Sequence, residues 1–131
     1  MTHLCLVSLA LLVDARKDSL KTLLLDGEYV TDDFFRHLAK LKRLESLGIA
    51  FAESISSQGM EAISELRNLT SLKLMRAKEL LPIEFITTFS SPKLERLTSL
   101  NLSECGLLDD NSLSAIAGTC KMLKVIFGLI T

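Results

Sequence analysis

Leu69-Thr70-Ser71-Leu72-Lys73-Leu74 has the pattern Leu-x-x-Leu-x-Leu, and this stretch decides the fold because the pattern recurs along the chain. Matching stretches begin at Leu20, Leu44 and Leu97, and a weaker one begins at Leu123. The five starts lie 24, 25, 28 and 26 residues apart. Self-similarity at such a period indicates stacked units, each of which buries its apolar side against the next unit.

This pattern and period are typical of leucine-rich repeats. Within each repeat the pattern forms a short strand, and side-chain alternation turns its fourth and sixth residues toward the core. We therefore expect an α/β leucine-rich repeat solenoid, curved, with parallel strands inside and helices outside. It should contain about four to five repeats. Strands are predicted near residues 22–25, 46–49, 71–74 and 99–102, with a frayed fifth strand near 124–127.

A helix is expected after each strand, where apolar residues recur at helical spacing. Short polar residues that can cap free backbone amides mark three helix starts: Thr31-Asp32-Asp33, Ser56-Ser57 and Asp109-Asp110-Asn111. In the third repeat Pro82 predicts a helix over about 83–89. The extra residues around Pro92 account for the 28-residue period and predict a bulge on the convex side.

The whole chain, residues 1–131, is interpreted as one repeat domain. Residues 3–15 are predicted to form an amphipathic helix that caps the first strand, and a cleaved secretory signal is the alternative. At the other end, the apolar residues 127–131 would leave an open strand edge. This edge indicates either a cut from a longer solenoid or a surface that meets a partner or a second copy.

Composition limits the functional classes. Fifteen basic and sixteen acidic residues give a net charge of −1, which argues against nucleic acid and membranes as partners. Mean hydropathy is high, at +0.34. Cys5, Cys105 and Cys120 form no CxxC pair and their number is odd, which favours an intracellular location, cytoplasm or nucleus, over secretion.

No enzymatic chemistry is predicted. The two histidines, His3 and His37, are expected to be structural or solvent-facing, and no glycine-rich phosphate motif occurs. The Asp32-Asp33 and Asp109-Asp110 pairs fit helix capping better than metal binding. Cys105 is expected in an interior turn, where its thiol donates to a loop carbonyl, and Cys120 in place of a core leucine. We expect no cofactor and no metal.

One repeat resembles a known family. Ser99-Leu100-Asn101-Leu102-Ser103-Glu104-Cys105-Gly106, followed by residues 108–113 and 117–123, is similar to the cysteine-containing leucine-rich repeat of F-box/LRR proteins. In that family the repeats hold a substrate while an F-box binds the Skp adaptor of a cullin-RING ubiquitin ligase. The other repeats have Glu28, Ala52 and Ala77 at the position of Cys105, and residues 1–15, ahead of the repeats, are too few for an F-box.

The predicted binding site is the concave face, where outward strand positions form columns across the repeats. Leu24, Met75 and Phe127 are candidate anchors, because hot spots are usually buried aromatic or large apolar side chains amid neutral contacts. The predicted contact residues are Thr22, Leu24, Asp26, Ser46, Ser71, Lys73, Met75, Ser99, Asn101 and Phe127. The favoured function is a non-enzymatic module that binds a protein or peptide, such as the substrate-binding part of an F-box/LRR-like ubiquitin ligase receptor. The alternatives are an assembly subunit that self-associates through its C-terminal strand, and an extracellular recognition domain.

Overall fold

The computed structural model describes residues 6–128 and contains five helices and five strands within that range. In chain order the elements are α1 Leu6–Ala15, β1 Thr22–Asp26, α2 Asp32–Leu38, β2 Ser46–Ala50, α3 Ser57–Ser64, β3 Ser71–Leu74, α4 Pro82–Phe89, β4 Ser99–Asn101, α5 Asp110–Thr119 and β5 Val125–Phe127. Short 3-10 turns lie at Gly27–Tyr29, Ala52–Ser54 and Pro92–Leu94. The chain therefore alternates regularly between helix and strand.

The strands form one all-parallel sheet in the order β1-β2-β3-β4-β5. Its register places the fourth residue of each pattern beside its counterpart, so that Leu47 pairs with Leu72 and Leu72 with Leu100. Consecutive helices also pack on one another, from α1 against α2 to α4 against α5. The architecture is α/β, and the predicted strand positions and register are confirmed.

The core lies between the sheet and the helices. Leu47, Ile49, Leu72 and Leu74 are buried from the strand side, as the alternation predicts. The helical side and its connections contribute a second set of buried residues: Phe34, Phe35, Leu38, Leu41, Met60, Ile63, Leu66, Phe85, Phe89, Ile116 and Cys120. Leu113, at helical spacing from Ile116 and Cys120, is only partly buried. The opposite face of the sheet has no covering layer among the described residues.

The helix starts follow the predicted polar residues with one difference. Ser56 accepts a hydrogen bond from the Gln58 amide at 3.2 Å, and Asp109 accepts one from the Ser112 amide at 2.8 Å. Thr31 stands at the N-cap of α2, but its side chain accepts no such bond. The first turn of α2 is instead acidic, which suits the partial positive charge of a helix start.

The third repeat ends its helix where the prolines require it. Pro82 occupies the first turn of α4, where its missing amide costs no hydrogen bond, so the helix begins one residue before the predicted position. Pro92 then opens a 3-10 turn whose last residue, Leu94, is buried. The extra residues of this unit thus lie in the connection between α4 and β4.

The two ends depart from expectation in different ways. Helix α1 begins at Leu6, and the predicted start at residue 3 lies outside the described residues. Val13 is buried, yet Leu11 is 64% exposed, so α1 is apolar on its outer side and is not the amphipathic helix that was predicted. No helix within residues 6–128 is long and apolar enough to span a bilayer. Strand β5 has three residues, all exposed, and residues 129–131 of the predicted open end lie outside the described range.

Candidate functional site

The exposed surface of the sheet, here called the open sheet face, carries the predicted contact residues. Strand pairing aligns the third positions of the pattern into one row and the fifth positions into another. The third-position row is Thr22, Ser46, Ser71, Ser99 and Val125, and the fifth-position row is Leu24, Gly48, Lys73, Asn101 and Phe127. The structure therefore brings the predicted residues of these two rows together on one surface.

The apolar candidates on this face are exposed and separated. Leu24 is 71% exposed and Phe127 53%, and they lie at opposite ends of the fifth-position row. Met75 is also exposed, just past the end of β3. Its amide donates to the carbonyl of Ile49 at 3.0 Å, which holds the backbone beyond the last strand pair in ladder geometry.

The middle of the open sheet face is polar. Lys73 is exposed and forms no ion pair within the described residues. Its neighbour Asn101 is held in place because its Oδ1 accepts the Ser103 amide at 2.9 Å and the Ser103 hydroxyl at 2.5 Å. A free cation beside a fixed amide can bind a carboxylate or a peptide carbonyl of a partner.

Asp26, at the end of β1, has a local role in the structure. Its Oδ1 accepts the Glu28 amide at 3.0 Å and so caps the turn that follows. The side chain remains exposed. Asp26 therefore lies at the border of the open sheet face, where the strand leaves the sheet.

Three consecutive strand exits place a non-glycine residue in the left-handed region. Phe51, Arg76 and Glu104 have φ of 53°, 65° and 60°. Each is the eighth residue of its repeat, and Gly27 has this place in the first repeat. Left-handed backbone is costly for side-chain-bearing residues and persists where surrounding contacts enforce it. The residue types at these three exits do not indicate the shared conformation, and Gly27, at the same place in the first repeat, does not adopt it.

These three side chains interact across the strand exits. Arg76 Nε lies 3.1 Å from Glu104 Oε2 and 3.4 Å from Glu53 Oε1, and its guanidinium carbon is 5.2 Å from the centre of the Phe51 ring. Nε is buried and lacks hydrogen-bond geometry toward either carboxylate. The array holds Arg76 along the strand exits, so this charge is already neutralised locally and does not add to that of Lys73.

The thiols within the described residues are structural. Cys105 Sγ donates to the Leu74 carbonyl at 3.3 Å, which confirms the predicted turn role. Cys120 is buried in the core and lies 3.6 Å from the Leu94 carbonyl. Burial raises the pKa of both thiols, that of Cys120 to about 11. A thiol with a raised pKa is a poor nucleophile at neutral pH.

His37 joins two helices. Its Nδ1 lies 3.0 Å from Asp14 Oδ1, and this hydrogen bond lowers the pKa of the Asp14 carboxyl below its ordinary value of 3.8. The pair borders a cavity of about 280 Å³ between α1 and α2, which Thr31 and Phe34 also line. The partly buried pair fastens α1 to α2, so of the two roles expected for His37, structural or solvent-facing, the structure gives the structural one.

The near-zero net charge conceals a separation of charge between two edges of the molecule. All helix-to-strand connections reach the sheet at one edge because the strands are parallel; this connection edge comprises residues 16–21, 39–45, 65–70, 90–98 and 120–124. It contains eleven of the fifteen basic residues, namely Arg16, Lys17, Lys21, Lys40, Lys42, Arg43, Arg67, Lys93, Arg96, Lys121 and Lys124. Its acidic residues are Asp18, Glu45, Glu65 and Glu95.

The opposite edge, here called the exit edge, consists of the strand ends, the strand-to-helix connections and the first helical turns. It contains ten acidic residues, namely Asp26, Glu28, Asp32, Asp33, Glu53, Glu79, Glu84, Glu104, Asp109 and Asp110. Arg76 and Lys78 are its basic residues. Composition alone missed this separation, because it becomes visible only when the charges are assigned to connections.

No group of three or more potential metal ligands converges within residues 6–128. No family model matches the sequence, and no curated protein matches it either. What the chain itself establishes is an α/β fold with a five-stranded all-parallel sheet, one polar-centred open sheet face and two edges of opposite charge.

Proposed function

We propose that the chain is a leucine-rich repeat solenoid that acts as a non-enzymatic protein-recognition module and holds its partner on the open sheet face. The repeat assignment is supported by one strand and one helix per pattern, by strand order equal to chain order, and by burial of the fourth and sixth pattern residues in the three middle units. The Cys105 thiol in its interior turn is a further feature in favour.

The observation that carries the binding role is the ordered exposure of the open sheet face. Large apolar side chains at Leu24, Met75 and Phe127 surround a polar centre at Lys73 and Asn101. This arrangement suits an extended macromolecular surface, because apolar anchors amid polar contacts are typical of protein interfaces.

The resemblance of residues 99–123 to cysteine-containing repeats gives the specific form of the proposal. In this form the chain is the substrate-holding part of an F-box/LRR-like ubiquitin ligase receptor and works in the cytoplasm or nucleus. Its partner is then a protein or peptide and not a nucleic acid or membrane.

Affinity capture with a paired variant tests the proposal. The native chain and Leu24→Asp with Met75→Asp are used as baits in cell extract, and the retained proteins are identified by mass spectrometry. Both positions are exposed, so the variant should keep the native circular dichroism spectrum. The proposal predicts a discrete protein set that the variant loses, with ubiquitin ligase components in it if the specific form is right.

A matched control distinguishes an effect of changing the open sheet face from an effect of replacing any two exposed apolar residues. Leu11→Asp with Leu12→Asp also replaces two exposed apolar residues, but on α1 and away from the open sheet face. This control should retain the same proteins as the native chain. Equal capture by all three baits would show that the open sheet face is not the binding site.

A second candidate function, assembly through β5, is favoured by one observation. Ile126 occupies the row in which Leu47, Leu72 and Leu100 are buried, yet it is 38% exposed. Val125 and Phe127 are exposed beside it, and an edge strand carries unpaired backbone groups. Light scattering over a range of concentrations tests this candidate: Phe127→Asp should abolish self-association, and an unchanged oligomer would reject it.

A further inference from the structure

We propose that the connection edge is a second binding surface, which takes an acidic segment of polypeptide in extended conformation. This surface lies across the strand starts and is separate from the open sheet face. The proposal does not depend on what the open sheet face binds.

The basic side chains converge in a built groove. A depression of about 400 Å³ crosses four successive connections and is lined by Lys21, Arg43, Glu45, Asn68, Thr70 and Arg96. Asn68 ties its walls together, because Nδ2 donates to the Lys42 carbonyl at 2.7 Å and Oδ1 accepts from Arg96 Nη1 at 2.9 Å. The Arg96 guanidinium is thus oriented before a ligand arrives.

Several of these cations have no carboxylate partner within the described residues. Arg43, Arg67 and Arg96 form no ion pair there, whereas Lys93 contacts Glu65 at 2.5 Å and Lys21 approaches Glu45 at 3.9 Å. Helix dipoles favour cations only within the last turn. Arg43 follows the end of α2 by five residues and Arg96 follows the end of α4 by seven, so helix stabilisation does not account for them.

The chemistry of the edge favours a polypeptide over a nucleic acid. Proteins that bind single-stranded nucleic acids usually combine a basic groove with aromatic side chains on which bases stack. The aromatic residues, Tyr29, Phe34, Phe35, Phe51, Phe85, Phe89 and Phe127, all lie outside the connection edge. Carboxylates at Glu45 and Glu95 would also repel a continuous phosphate backbone, whereas a peptide can place its acidic residues between them.

A membrane surface fits less well for a related reason. Peripheral anchors usually combine cations with apolar side chains that enter the lipid. The leucines at the middle of the edge, Leu44, Leu69 and Leu97, are buried, and among the described residues Met122, in the last connection, is the one large apolar side chain that this edge exposes.

The length of the segment follows from strand geometry. Five parallel strands about 4.8 Å apart span about 19 Å, which about six residues of extended chain cover. A partner segment of that length with alternating Asp or Glu could reach every connection.

Fluorescence anisotropy tests the proposal with a labelled peptide of alternating Glu and Ser, beside its Gln and Ser counterpart. The native chain should bind the acidic peptide and not the neutral one, with an affinity that falls as salt rises. Arg43→Glu with Arg96→Glu should weaken binding at least about tenfold, since each reversal replaces attraction by repulsion. Arg43→Gln with Arg96→Gln should give a smaller loss and guards against misfolding of the reversed variant.

Two controls separate this surface from general charge and from the open sheet face. Arg36→Glu with Lys78→Glu makes the same change in net charge outside the connection edge and should leave peptide affinity within about threefold of native. Leu24→Asp with Met75→Asp should also bind the acidic peptide with an affinity within about threefold of native. Native-affinity binding of the acidic peptide by the Arg43→Glu with Arg96→Glu variant would overturn the proposal. No binding of the acidic peptide by the native chain would also overturn it.

Two further probes decide between classes of polyanion. Tighter binding of an oligothymidylate with the same number of charges would replace the polypeptide by a nucleic acid. Co-sedimentation of the native chain with phosphatidylserine vesicles, lost in the Arg43→Glu with Arg96→Glu variant and seen without binding of the acidic peptide, would show that the connection edge binds a membrane surface instead of a polypeptide. Either result would overturn the proposal as stated.

Discussion

The side chain of Leu24 lies over Gly48 on the neighbouring strand, so closely that a Cβ on Gly48 would stand 2.7 Å from Leu24 Cδ2. The absence of a side chain at residue 48 therefore shapes the open sheet face, because it lets an exposed leucine fold sideways onto the sheet. Lys73 on the next strand lies 3.9 Å from the same Cβ position. Gly48, which has no side chain, thus lies between the apolar side chain of Leu24 and the cationic side chain of Lys73.

Gly48→Ala should change unfolding free energy by no more than about 0.5 kcal/mol, because the contacting atom is the free end of an exposed, flexible side chain. Gly27→Ala is the contrasting variant, since its Cβ would meet the Phe51 carbonyl oxygen at 2.7 Å and Ile49 Cγ2 at 2.9 Å. Forcing atoms into such a packed place should cost about 1–3 kcal/mol. Urea denaturation measures both, and equal effects would contradict this account of the two glycines.

Leu72→Ala should lower unfolding free energy by about 2–5 kcal/mol, because it removes a fully buried side chain in the middle strand and leaves a cavity. Leu24→Ala removes an equal number of atoms from an exposed position and should cost less than about 0.5 kcal/mol. Urea denaturation of the pair compares them. A loss of unfolding free energy below about 0.5 kcal/mol for Leu72→Ala would mean that the register of β3 is wrong.

Cys105 and Cys120 should react slowly with a thiol reagent in the native protein and rapidly after unfolding. Burial shields both sulfurs and raises their pKa, so at pH 8.5 fewer than about one in a hundred Cys120 thiols is ionised. The measurement is the rate of reaction with a chromogenic disulfide, in a Cys5→Ser background because residue 5 lies outside the described range. Fast labelling of both thiols under native conditions would contradict their buried positions.

Asp14→Asn should destabilise the protein near neutral pH and have no effect in strong acid. The folded state lowers the pKa of Asp14, through the hydrogen bond from His37, below the unfolded value of 3.8. A lowered folded pKa stabilises the protein above the unfolded pKa, and this stabilisation is lost as pH falls through the folded value. The difference between native and variant should therefore be constant above about pH 5 and vanish near about pH 2.

Urea denaturation at a series of pH values measures this difference. Asp18→Asn is the matched control, because Asp18 is an exposed carboxylate without an ion pair in the described structure. Its effect should be smaller than that of Asp14→Asn at every pH. A difference that persists at about pH 2 would show that the Asn variant acts through packing and not through the charge.

Strand positions and register could be predicted because side-chain alternation turns leucines such as Leu72 and Leu74 toward the core side of the sheet. The repeat period then places each leucine beside the matching leucine of the next strand. Pro82 and Ser56 also predicted helix starts through purely local chemistry. These features depend on residues near in sequence or on the repeat itself, and they are confirmed. The recognition role of the open sheet face stays a prediction.

The contacts between repeats could not be predicted in the same way. The array of Phe51, Arg76 and Glu104 requires three strand exits to share a left-handed backbone, a property that the identity of these residues disfavours. The pairing of His37 with Asp14 depends on how α1 lies along α2. The clustering of basic residues at the connection edge could be predicted only with the order of the strands, because that order brings lysines and arginines that are dispersed in the sequence next to one another.

Strand order equal to chain order has a consequence for how the molecule loses structure. Each unit touches mainly the units before and after it, so an opening at one end breaks few contacts elsewhere. Backbone amides of β5, which has one neighbour and exposed side chains, should exchange with solvent through fraying, while those of β3 should exchange through opening of the whole array. Cooperativity in this fold is therefore graded along the chain, highest at the centre of the sheet and lowest at the strand that presents Phe127.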